Sequence, residues 1–75
     1  MPAMKNMPMN QKLAARIKQI RLKKGLAARE VAKRCNMNLR NYQRLESAKP
    51  PDLRASKINR IAKALRVSLR YLFTF

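Results

Sequence analysis

Apolar positions along this chain recur at helical spacing in separate stretches, and nowhere do they alternate as a strand would. Leu13, Ile17 and Ile20 stand at i, i+4 and i+7, with Arg16, Lys18, Gln19 and Arg21 between them, which predicts an amphipathic helix from Asn10. Lys23-Lys24 followed by Gly25 predicts its end: cations in the last turn, then a residue at ease in the left-handed conformation. Leu26 is expected to fold back against Ile20. A second helix is predicted over 28–35, burying Val31, Ala32 and Cys35 and stopped by Asn36. Asn38 is a good cap for a third, from Leu39 to about Ser47. After Pro50-Pro51, Ile58, Ile61, Ala62 and Leu65 keep the i, i+3, i+4, i+7 pattern of a fourth, with Asp52 and Ser56 both offering caps. Arg66-Val67 turns the chain, Ser68 caps again, and a last short helix is expected to turn Leu69, Leu72 and Phe73 inward. Residues 1–9 hold two prolines and four methionines without a period. They read as a flexible N-terminal arm ahead of one all-α domain over 10–75.

The joint Asn36-Met37-Asn38 is too short for anything but a steep crossing, and this makes helices two and three a helix-turn-helix. Helix three divides cleanly at about 100° per residue. Tyr42, Leu45, Leu39 and Glu46 fall on the inward arc; Arg40 and Arg44, at about 160° and about 200° from Tyr42, point away from it. Gln43 and Asn41 flank them. Arginine pairs bidentately with guanine edges, and glutamine or asparagine reads adenine or holds phosphate. Taken alone, such residues are an ordinary solvated helix face.

Charge changes the picture. The 75 residues carry 19 Lys+Arg against 3 Asp+Glu and no His, a net +16, with a hydrophobic fraction of 47%. A folded body therefore carries the charge, and a polyanion, nucleic acid before membrane or acidic protein, is the expected partner. A chain this short buries only about 60% of its unfolded surface, enough for one core. Without His, an acid/base or metal site would rest on Glu30, Glu46, Asp52 and Cys35, which are scattered singly; no enzyme, metal or cofactor is expected. Cys35, the only cysteine, reads as buried filler. With neither a leader nor a membrane-length apolar run, the expectation is a cytoplasmic, nucleoid-associated protein with no membrane or small-molecule ligand.

The order of these pieces resembles the helix-turn-helix domains of phage repressors and Cro, used widely in bacterial regulators and antitoxins. The resemblance runs from Leu13 to Phe73. It is carried by Arg16–Arg21, Lys24-Gly25-Leu26, Glu30-Val31-Ala32, Tyr42-Gln43-Arg44-Leu45-Glu46 and the run from Ile61 to Phe73. It implies a compact, lambda-repressor-like five-helix bundle whose third helix enters the major groove, bound as a homodimer on a near-palindromic double-stranded operator. The base-reading positions it implies fall on Leu39, Arg40 and Arg44, with Gln43 beside them. Asn41 and Lys49 match phosphate positions, and Arg29, Asn38 and Arg54 join them as candidates. Arg21 and Glu46 match a structural ion pair. The chain departs from the pattern at Ala27-Ala28, where Ser-Gln is usual, and at Asn36 and Ala48, where Gly is usual. The loop before helix four is longer than common, and cations replace the acids of helices one, two and four.

The expectation is thus a small phage or mobile-element repressor, acting by occupying DNA and excluding polymerase. Arg16, Lys23, Lys63 and Arg66 cannot all reach one operator, which keeps two alternatives: an antitoxin-like module with an acidic protein partner, and a non-specific nucleic-acid-coating protein. On the last helix, Tyr71 and Phe75 point away from Leu72 together and are the candidate dimer contact.

Overall fold

A computed structural model describes residues 8–47, 50 and 53–75. It has five helices, α1 (Met9–Lys23), α2 (Ala28–Arg34), α3 (Leu39–Leu45), α4 (Ala55–Leu65) and α5 (Leu69–Leu72), and no strand among the described residues. Residues 1–7, the greater part of the expected arm, and Lys49 lie outside the described residues.

Three of these helices end alike. Gly25 has φ +69°, and its N–H and that of Leu26 bond back to the carbonyls of Leu22 and Arg21. Asn36 (φ +59°) with Met37 repeats this on Lys33 and Ala32, and Arg66 (φ +58°) with Val67 repeats it on Lys63 and Ala62. Each ending satisfies carbonyls that the helix leaves unpaired and drops an apolar residue (Leu26, Met37, Val67) onto the core. The sharp turns between the helices follow from these endings.

Ile17 and Ile20 of α1, Val31 of α2, Tyr42 and Leu45 of α3, Ile61 and Leu65 of α4 and Leu72 of α5 are all fully buried and form one core with Cys35. Such side chains contribute about 1.5–3 kcal/mol each, which holds together helices too short to persist alone.

The structure corrects several details. Met9, not Asn10, opens α1, with Pro8 at its cap. α3 ends at Leu45, two residues early, because Glu46 leaves the helical conformation. Ser56 does not cap α4: Arg54 occupies the cap position without a side-chain bond and Ser56 lies inside the helix, while Asp52 lies outside the described residues. Leu39, Leu69 and Phe73 do not turn inward but are 39%, 45% and 41% exposed. Leu39 and Leu69 are the first residues of their helices, whose side chains lean back beyond the helix start and past the rim of the core. Phe73 follows a helix of four residues, and its backbone no longer keeps the helical angle.

Candidate nucleic-acid interface

α2 ends at Arg34 and α3 begins at Leu39, and the intervening turn is fixed from both sides. Asn36 absorbs the left-handed step, and the Asn38 side chain accepts the Asn41 backbone N–H at 2.8 Å. Tyr42 and Leu45 anchor one side of α3 in the core, so Arg40, Asn41, Gln43 and Arg44 are exposed on the other.

What holds α3 in place is a polar knot at its end. The Arg21 guanidinium donates through Nε and Nη2 to the two Glu46 carboxylate oxygens at 2.7 and 2.9 Å, and through Nη1 to the Leu26 carbonyl at 2.8 Å. The Tyr42 hydroxyl donates to the same carboxylate. The paired side chains are 11% and 9% exposed, so this ion pair is nearly withdrawn from water, where charge-assisted bonds are strong and an unpaired partner is costly. The hydrogen bond to Glu46 raises the Arg21 pKa, and burial, then the same carboxylate, pushes the Tyr42 hydroxyl well above its usual range. The Arg21–Glu46 pair thus joins α1, the α1–α2 loop and α3.

Arg29 lies in the first turn of α2, Asn38 caps α3 and Arg54 stands at the cap position of α4, all exposed. The Asn38 side-chain oxygen Oδ1 is committed to capping, which leaves only its NH2 group to donate. Tyr71 and Phe75 are exposed, but each has a neighbour: the Phe75 ring is 6.2 Å from that of Phe73, and the Arg16 guanidinium lies 4.5 Å above Tyr71. Arg16 also donates to the Tyr71 carbonyl at 3.0 and 3.3 Å. This clasp between α1 and α5 has no signal in the helical period, which shows Arg16 only as an outward cation. Its partner is 55 positions away.

Among the described residues, an all-helical bundle with a tightly jointed pair of helices, the second presenting two exposed guanidinium groups without a protein partner, defines a helix-turn-helix protein. The family model for the helix-turn-helix matches residues 17–72, and the chain belongs to that family, of the Cro and repressor type: a DNA-binding protein of transcription regulation. No curated protein matches the chain. Among solved structures it is similar to the restriction-modification controller protein C.AhdI from Aeromonas hydrophila, with a TM-score of 0.78 and 23% identity over 85% of this chain and 96% of that one. That likeness is one of fold.

Proposed function

We propose that the chain is a sequence-specific repressor that lays α3 in the major groove of a near-palindromic operator as a homodimer and excludes polymerase from the site. The observation that carries this reading is the pair Arg40 and Arg44, exposed on a helix whose opposite side is locked by Tyr42, Leu45 and the Arg21–Glu46 pair. A rigidly held helix delivers guanidinium groups to base edges in register, and bidentate pairing with guanine follows. Arg29, Asn38, Asn41, Lys49 and Arg54 take phosphates and set orientation. The exposed aromatics Tyr71 and Phe75 on α5, joined by the uncovered Leu69 and Phe73, supply the dimer contact. A phage or mobile-element origin belongs to this reading, and the similar protein of the same fold is a restriction-modification controller.

The net +16 favours a second reading, a protein that coats DNA without regard to sequence. Selection of bound sites from random duplexes separates the two. A recovered palindrome is expected; flat enrichment overturns the repressor. On the recovered site, affinity should fall with salt at a log–log slope of about −0.9 per phosphate contacted, so about 8–12 contacts lose several decades between low and high salt.

A further inference from the structure

Beyond α3, one place gathers cations around apolar surface. Between the C-terminal end of α1 and the α4–α5 turn lies an open groove of about 550 Å3 lined by Ile20, Val67 and Tyr71, with Lys23 and Lys24 on its edge. Lys24 also lines a neighbouring recess of about 280 Å3, together with Leu26, Leu65, Arg34 and Arg66. No carboxylate of the described residues lines either part. Three helix C-termini meet here, those of α1, α2 and α4, and their dipoles supply together about −1.5 charges. Lys23, Lys24, Arg34 and Arg66 exceed that, so the rim is left positive. At Arg66 the excess comes with backbone strain: φ is +58°, a position that suits glycine, and the chain keeps a guanidinium there.

We propose that this groove docks an acidic amphipathic helix of a second protein, with apolar side chains along Leu26 and Val67 and carboxylates on Lys24, Arg34 and Arg66. The floor decides against nucleic acid, because a phosphodiester strand would neutralise the rim and leave the apolar surface unfilled. The rim decides against a second copy, which has only 3 Asp+Glu to set against it, one of them, Glu46, already spent on Arg21. None of the lining residues belongs to α3 or to the first turns of α2 and α4, so the partner and DNA draw on different side chains. Only the Tyr71 end touches the proposed dimer surface.

The probe is a synthetic peptide of about four helical turns, leucine at every third or fourth position and glutamate elsewhere, titrated into the full chain and followed by NMR. Amide shifts centred on Lys24, Leu26, Arg66 and Val67 are expected, with and without a saturating duplex of the selected site. The double variant Lys24→Gln/Arg66→Gly, checked for an intact melting transition, should weaken the peptide about five- to tenfold while leaving duplex affinity within about threefold. A second peptide with serine for leucine should bind at least about tenfold more weakly. Shifts centred on Arg40 and Arg44, unchanged affinity in the double variant, equal binding of the serine peptide, or no binding at all would each overturn the proposal. So would duplex DNA shifting the groove residues in place of the peptide. Loss of duplex selectivity with the peptide mapping intact would count against the repressor alone.

Discussion

Arg21 and Arg44 carry the same guanidinium group on different helices and live in opposite surroundings. Arg21 is nearly enclosed, with its donors spent on Glu46 and a backbone carbonyl. Arg44, like Arg40, is exposed, with no protein partner for its guanidinium among the described residues. The difference lies in placement relative to the core. An arginine that faces a buried carboxylate becomes part of the fold, because removing either partner strands a charge. An arginine held out by a well-anchored helix keeps all five donors for a ligand. Stability and recognition should therefore come apart when the two kinds are mutated.

The largest effect should follow from breaking the inner pair. Glu46→Ala leaves Arg21 without its carboxylate and Tyr42 without an acceptor, and should destabilise the fold by about 3 kcal/mol in urea unfolding. Replacing the outer ones should do the reverse. Arg40→Ala and Arg44→Ala should change stability by no more than about 0.5 kcal/mol. Each should cost about 1–3 kcal/mol of binding on the selected operator and relax base choice at one position. Equal losses on operator and scrambled duplexes would show that α3 does not read bases. The comparison would then reduce to buried against exposed charge.

Much of this contrast was legible beforehand, for local reasons. The 100° period separates Tyr42 and Leu45 from Arg40 and Arg44 within a single helix, and Asn38 and Gly25 mark ends by chemistry that acts over two or three residues. The period failed where a helix has no length to define it. Leu39 and Leu69 open their helices and Phe73 lies just past a four-residue one, so edge geometry overrode the angle count. It was silent on contacts made by folding, such as Arg16 on Tyr71 or Arg34 on the Ala64 carbonyl at 3.1 Å, because spacing along a chain says nothing of partners many turns away. The Arg21–Glu46 pair, 25 positions apart, was readable only through family resemblance.

Tyr42 sharpens the inner side. Tyr42→Phe keeps the ring in the core and removes one donor to Glu46, so it should cost about 1–2 kcal/mol at neutral pH. The phenol also gives the inner knot a pH limit. Its folded pKa lies above the unfolded value near 10, so its stabilisation is complete below about pH 10 and is lost as pH rises further, when only the unfolded chain ionises. The buried Cys35 thiol, pushed up by burial, acts in the same direction from about pH 9. Urea melts at neutral and alkaline pH should show the loss in the parent, and a shallower one in Tyr42→Phe.

The smallest effect belongs to Arg66, which neither pairs in the core nor stands on α3. It ends α4 in a left-handed conformation, φ +58° and ψ +45°, that an L side chain adopts at a cost of about 1–2 kcal/mol. Against this, its cation faces the negative end of the helix dipole, worth about 0.3–1 kcal/mol. Glycine removes the strain and the charge together, and adds about 0.5–1 kcal/mol of unfolded-chain entropy to be overcome. The balance for Arg66→Gly is close: at the middle of each range the gain and the losses differ by only about 0.1 kcal/mol, so Tm should move by less than about 1 °C in a domain of this size. Arg66→Ala separates the contributions. It keeps the strain and loses only the cation, so it should lower Tm where glycine leaves it nearly unchanged. If both variants lower it equally, the guanidinium is holding the α4 end as Arg21 holds α3, and Arg66 belongs with the inner arginines.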